Sequence, residues 1–294
     1  MERNPAECEP EDYLKKQYSI SLSQNKIKRY LNNNDRYNGY FVVNRDKDTL
    51  RWKNSKETLR KLGIKAQRFS AVEGSTVPDN IRNHFTVLRD GEMGCFLSHL
   101  ILYYLISQHS NPEQYTIIFE DDIVSSLSHP YNMKDSFDQI DKVKRLQQVD
   151  IVYLGKCCED CLNIKNIHGN IYKAVNPLCT HAYCIRNGFA HQLYQEILSM
   201  NYIDQGIDHV LSNHSPDKVE FHPSLFYQDI VNIQSSLRSR ESSLYSYQEC
   251  SNITTNSDVK VDKKRNTHGT RYVCLSLLTI LVLLFLVISF NFFS

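Results

Sequence analysis

Tyr115-Thr116-Ile117-Ile118-Phe119-Glu120-Asp121-Asp122-Ile123 is the stretch that decides how this chain is read. A short apolar run bounded by polar sequence has the signature of a strand buried on both faces of a sheet. Three carboxylates follow at its C-terminal end, where open α/β sheets bind their ligands. Three adjacent negative charges repel one another and resist burial, so they call for a cation or for water. Residues i and i+2 of an extended chain point the same way, so Glu120 and Asp122 can share one partner. Oxygen ligation of this kind suits Mg²⁺ or Mn²⁺, ions that bridge to a diphosphate.

Outward from that strand, other segments alternate between strand and helix. Gly39–Asn44 reads as a first core strand, rich in β-branched and aromatic residues. Thr49–Leu62 reads as a helix stopped by Gly63, and Ile64–Val72 as a second strand. A glycine-punctuated turn at Gly91–Gly94 feeds an apolar helix through Leu105. After the carboxylates, a helix over Ile140–Gln148 leads to a strand over Val149–Leu154. A strand over Thr180–Ile185, a helix over Gly188–Met200 and a short helix from Ile207 to Leu211 follow, and Phe221–Phe226 closes the fold. This spacing predicts an α/β domain with a mostly parallel sheet flanked by helices.

The chain has 294 residues, 41% of them apolar, enough for one well-cored domain with appendages. Its net charge is +1 with both signs mixed, and no basic stripe points to nucleic acid. Residues 1–37 are a polar extension, 38–240 the folded domain, 241–271 a Ser-, Asn- and Lys-rich linker, and 272–293 an apolar segment. At about 1.5 Å per residue that last segment is long enough to cross a bilayer core of roughly 30 Å. Lys263, Lys264, Arg265 and Arg271 precede it and no basic residue follows. The expectation is therefore a single-pass tail anchor with the domain on the cytosolic side.

Nine cysteines is an odd count, so they cannot all be paired, and the cytosolic placement suits free thiols. Cys157, Cys158 and Cys161 have a passable zinc spacing, against the plainer reading of unremarkable thiols. Asn252-Ile253-Thr254 is a glycosylation acceptor only if it faces a lumen.

An ordered series of motifs resembles glycosyltransferase family 25, the lipooligosaccharide and procollagen galactosyltransferase family. The series is Val43-Asn44 with Arg51, Ala71-Val72-Glu73-Gly74, Gly91-Glu92-Met93-Gly94-Cys95-Phe96-Leu97-Ser98-His99, and Ile118-Phe119-Glu120-Asp121-Asp122. Asp150–Gly155, Thr180–Tyr183, Asp208 and Gln228 continue it. The resemblance covers about residues 38–238. It implies a GT-A-like, Rossmann-like fold, plus the C-terminal membrane helix read above. It further implies an inverting, metal-dependent transfer of a sugar, usually galactose from UDP-galactose, onto a glycan or hydroxylated protein.

On that resemblance Glu120 and Asp122 are the metal ligands, for Mn²⁺ or Mg²⁺. Asn44, Arg51, Glu73, Ser98 and Asp121 stand on the donor side, and Asp208 and His99 are the candidate catalytic residues. Each has a plainer reading: Ser98 and His99 as a cap or buried hydrogen bond, Glu73 as a turn residue, Arg51 as a surface charge, Asp208 as a helix-start carboxylate. Arg45 stands where the family pattern usually continues with leucine. The alternative to an enzyme is a degenerate transferase fold serving as a membrane-tethered binding or adhesion module.

Overall fold

A computed structural model describes residues 39–229, apart from 109–110, 128–129, 147, 158–164 and 216. The N-terminal extension, the linker with its glycosylation acceptor, and the apolar segment at 272–293 lie outside the described residues. Among those described, no helix is long and apolar enough to cross a membrane.

The strands are β1 (Gly39–Asn44), β2 (Gln67–Ser70), β3 (Tyr115–Glu120), β4 (Ile123–Ser125), β5 (Ile151–Gly155), β6 (Lys165–His168), β7 (Ile171–Lys173), β8 (Ala182–Arg186), β9 (Lys218–Phe221) and β10 (Phe226–Gln228). The helices are α1 (Thr49–Lys61), α2 (Asp79–Arg82), α3 (Asp90–Ser107), α4 (Pro130–Leu146), α5 (Asn187–Leu198) and α6 (Ile207–His214). Eight strands form one sheet in the order β2-β1-β3-β8-β5-β9-β7-β6, and β4 pairs with β10 in a small second sheet.

The central sheet is largely parallel and flanked by helices, as the alternation of elements predicts. It is not uniform: β8 runs antiparallel to both β3 and β5, and β7 runs antiparallel to β9. Sequence pattern gives strand identity but not direction, because a buried strand is apolar whichever way it runs. The reversal of β8 has a functional consequence. It brings Thr180 and His181, just before the strand begins, beside Glu120 at the end of β3, where the Glu120 N–H donates to the His181 carbonyl at 2.9 Å.

The pleat divides the core cleanly. Phe41, Val43, Ile118, Tyr153, Tyr183 and Ile185 face one layer, packed against α3, α5 and α6. Val42, Ile117, Phe119, Val152, Leu154 and Cys184 face the other, packed against α1 and α4. Alternate residues thus serve opposite faces of a sheet covered on both sides. Helix α3 is apolar nearly all round because the sheet lies on one side and α5 on the other.

Two differences from the expected elements are instructive. The second strand shrinks to β2, since Ile64 is buried by packing outside any ladder. Helix α4 begins ten residues earlier than expected, at Pro130, a residue suited to a helix start. The hairpin β6–β7 and the strand β9 were not legible, being short and of mixed polarity.

Candidate functional site

The C-terminal ends of β1 and β3, the segment after β2 and the start of α3 surround a cleft lined by Asn44, Arg51, Glu73, Gly94, Cys95, Ser98, Glu120, Asp121, Asp122 and Gln228. Eight of the nine sequence-derived site residues thereby fall at or beside one place: seven line the cleft, and buried His99 stands against Glu120. Asp208 does not line it.

Glycine makes this closure possible. A Cβ on Gly94 would lie 2.7 Å from the Val72 carbonyl, and one on Gly74 would lie 1.7 Å from the Asp90 carbonyl. Neither position has room for a side chain, so α3 docks backbone to backbone on the segment after β2. Ser98 completes the joint: its hydroxyl donates to the Gly94 carbonyl at 2.6 Å and accepts the Val72 N–H at 2.8 Å. The expected donor-side Ser98 thus has its hydroxyl engaged by backbone, at the wall of the cleft.

The acidic turn is held from both sides. Asn44, buried, donates to Asp121 Oδ2 at 2.6 Å and to the Asp48 carbonyl at 3.0 Å, while its Oδ1 accepts Arg68 at 2.6 Å. Arg51, on α1, reaches Asp121 Oδ1 at 2.7 Å and Asp122 Oδ2 at 3.3 Å. On the far side the β4–β10 ladder clamps the turn, with Asp229 N–H donating to the Asp122 carbonyl at 2.7 Å. Gln228 Nε2 approaches Asp122 Oδ2 at 3.5 Å.

Asp122 Oδ1 is buried and has no hydrogen-bond partner among the described residues. Burial first, then the charge of Glu120, pushes the Asp122 carboxyl up to about 7, with Arg51 opposing. Burial likewise raises Asp121 against the pull of Arg51 and Asn44. Glu120 behaves differently. Burial opposes its charge too, but the ring of His99 and the Thr180 hydroxyl at 2.6 Å outweigh it and hold the carboxyl below its ordinary value.

Behind Glu120 stands a buried file of rings. His99 Nε2 is 3.6 Å from Glu120 Oε1, His99 Nδ1 is 2.7 Å from the Tyr183 hydroxyl, and that hydroxyl is 2.9 Å from Tyr103 Oη. Thr180 and Tyr183 belong to the motif series but were not read as site residues. Their role depends on β8 being reversed.

A crowded carboxylate pair, one member raised by burial and by its neighbour's charge and carrying a buried oxygen with no partner among the described residues, is what a divalent cation would relieve. Glu120 and Asp122 therefore fit the metal-ligand role, and Arg51 fits a partner for negative charge entering the cleft. Glu73 is half-exposed and pairs with Lys47 at 2.7 Å and with Arg45 at 3.9 Å. Arg45 also pairs with Asp48 at 2.7 Å, so the residue that departs from the family pattern is built into the rim.

Asp208 opens α6. Its Oδ2 accepts the Cys179 N–H at 3.3 Å and its Oδ1 the His209 N–H at 2.9 Å. Its charge reaches the cleft wall, where, after burial and Glu120, it helps push the Cys95 thiol well up. Cys157 is not free: it forms a disulfide with Cys179, joining the segment after β5 to the one before β8. That bond takes Cys157 out of the passable zinc spacing with Cys158 and Cys161, which lie outside the described residues. Cys157 Sγ lies 3.4 Å from Gln228 Oε1, so the bridge borders the site.

A family model described as glycosyltransferase family 25 (LPS biosynthesis protein) matches residues 37–211, more than half of the chain. A curated Drosophila melanogaster protein named "Glycosyltransferase 25 family member" is 25% identical over 130 residues, which is 40% of this chain. The chain matches only 20% of the length of that relative.

Proposed function

The chain belongs to glycosyltransferase family 25, and on that premise we propose that it is a metal-dependent glycosyltransferase with a GT-A-like core. The observation that carries this reading is Asp122 Oδ1, buried beside Glu120 at the C-terminal edge of the sheet with no hydrogen-bond partner among the described residues. The donor we infer is a nucleotide sugar, UDP-galactose first, and the acceptor a glycan or hydroxylated protein.

Glu120 and Asp122 would hold Mn²⁺ or Mg²⁺, which when bound supplies charge neutralisation for a departing diphosphate. Arg51 adds a fixed positive charge on the same side, and Asn44 keeps Asp121 and the turn from swinging into the cleft. The N-terminal turn of α3, which presents Gly91 and Gly94 to the cleft, favours anionic groups there. In an inverting displacement the acceptor hydroxyl attacks the anomeric carbon, the bond to the diphosphate oxygen breaks, and a carboxylate takes the hydroxyl proton. We propose Asp208 for that last role: it stands outside the cleft lining, but its charge acts on Cys95 in the cleft wall and backbone N–H groups hold both of its oxygens.

The test is UDP release from UDP-galactose by the full chain in detergent, with and without Mn²⁺. We expect metal-dependent turnover that falls at least 100-fold in Asp122→Ala, in line with the loss of a charge-stabilising group. Turnover indifferent to both metal and Asp122 would overturn the reading. We also propose the apolar segment as a membrane tether. The disulfide pulls against the cytosolic placement, because such bonds persist in oxidising compartments. Protease digestion of sealed vesicles decides: a protected domain with Cys157 and Cys179 paired faces a lumen, and a digested one faces the cytosol.

A further inference from the structure

We propose that Cys95 Sγ, His99 Nε2 and a Glu120 oxygen form a mixed sulfur–nitrogen–oxygen site for a borderline divalent cation, of the Co²⁺ or Zn²⁺ kind, at the back of the cleft. The proposal rests on the reading that Glu120 binds a cation, and it adds, on the side of Glu120 that faces His99, a site whose softer ligands take a different ion from the Mn²⁺ or Mg²⁺ assigned to Glu120 and Asp122.

One ligand atom from each of the three residues lies within 4.8 Å of the others. His99 is fully buried, and its Nε2 has no hydrogen-bond partner among the described residues. Its separation of 3.6 Å from Glu120 Oε1 is long for a hydrogen bond. It suits two ligands of one metal, which in tetrahedral geometry with bonds of about 2.1 Å sit roughly 3.4 Å apart.

The surroundings are those of a metal-bound histidine. Tyr183 holds His99 Nδ1 at 2.7 Å and is itself held by Tyr103, which fixes the ring; when a cation takes Nε2, the ring proton that faces Glu120 in the metal-free chain moves to Nδ1, where the Tyr183 hydroxyl accepts it. The Thr180 hydroxyl donates to that same Glu120 Oε1 at 2.6 Å and steadies the carboxylate. Cys95 lines the cleft, so a cation can reach the thiol from solvent. Binding replaces the thiol proton with the metal, one proton leaving to solvent for each ion taken up.

Three protein ligands with a fourth position open to the cleft is the pattern of a reactive site rather than a structural one. Water or a diphosphate oxygen can fill that position. A thiolate and an imidazole select against Mg²⁺, and Mn²⁺ lies below Co²⁺ and Zn²⁺ in intrinsic affinity. The competing arrangement keeps the proton on Nε2, with His99 simply facing Glu120 and Cys95 a small half-buried thiol in the cleft wall.

The experiment is a Co²⁺ titration of the full chain in detergent after chelator treatment, read by absorption. A thiolate-to-cobalt charge-transfer band is expected at one equivalent, displaced by Zn²⁺. The band should vanish in Cys95→Ser with affinity down at least tenfold, and should persist in the Cys157→Ser/Cys179→Ser double variant. Independently of any variant, saturating Zn²⁺ should protect Cys95 from alkylation, mapped by peptide mass spectrometry. Co²⁺ binding without the charge-transfer band, or with unchanged Cys95 alkylation, overturns this site while leaving the carboxylate metal site standing. A band that survives in Cys95→Ser or disappears in the double variant overturns it equally, and failure to bind either Co²⁺ or Mn²⁺ overturns both.

Discussion

At Asp122 burial and charge are most at odds. Its carboxyl titrates near 7 in the folded chain against 3.8 as an ordinary side chain, so the metal-free fold holds the proton more tightly than the unfolded chain does. A group raised in this way contributes stability below its unfolded value and loses it as pH climbs through the folded one. We therefore expect the metal-free melting temperature to fall between about pH 4 and pH 8. Asp122→Asn should flatten that fall, raising the melting temperature at pH 8 by a few degrees, and Mn²⁺ should restore stability at pH 8 more than at pH 5. Calorimetry across that range checks all three, and a metal-free profile unchanged by Asp122→Asn would refute the burial argument. At this scale the sequence shows residue type and spacing but not engagement. Asp122 and Ser98 were both legible as site residues; only the packed structure shows one with an unpartnered oxygen and the other bound to backbone on both sides.

Helix α3 works as an element because of what it lacks. A Cβ on Gly94 would lie 2.7 Å from the Val72 carbonyl, and backbone cannot retreat as the end of a side chain can. Gly94→Ala should destabilise by about 1–3 kcal/mol, as overpacking does, and loosen the cleft wall together with the fold. Chemical denaturation alongside donor binding tests this, and loss of binding without loss of stability would argue against it. The Cys157–Cys179 bridge closes a 22-residue separation between the segments flanking the β6–β7 hairpin. Loop-closure entropy for that length is about 3 kcal/mol, so reduction should lower the urea midpoint accordingly. Because Cys179 adjoins Thr180 and its N–H bonds Asp208, reduction should also lower turnover more than Cys184→Ser does.

Across the whole molecule, one buried pair ties the site half of the sheet to its far edge. Lys156 Nζ meets Glu220 at 2.9 Å and the Phe221 carbonyl at 3.0 Å, with Lys156 4% exposed and Glu220 fully buried. Leaving Glu220 as an uncompensated interior charge is costly, so Lys156→Met should destabilise by about 3–5 kcal/mol. Lys156→Met/Glu220→Leu should recover most of the loss, since an apolar pair needs no counter-charge. Equilibrium unfolding of the two variants decides, and equal losses in both would remove the electrostatic explanation.

From the amino-acid sequence alone came the α/β alternation, the first strand at its observed limits, the glycine-led helix and the acidic turn that ends β3. These are local: each rests on periodicity, a helix stop or a motif readable within some twenty residues. What the fold alone decided is non-local. The reversal of β8, the Cys157–Cys179 pairing, the Arg51 contact with Asp121 and the ring file behind Glu120 join residues far apart in the chain. Such partners are chosen by strand order and by which layer each side chain enters. Neither quantity is written in any one segment, because the same apolar strand satisfies the sheet in either direction and at several places.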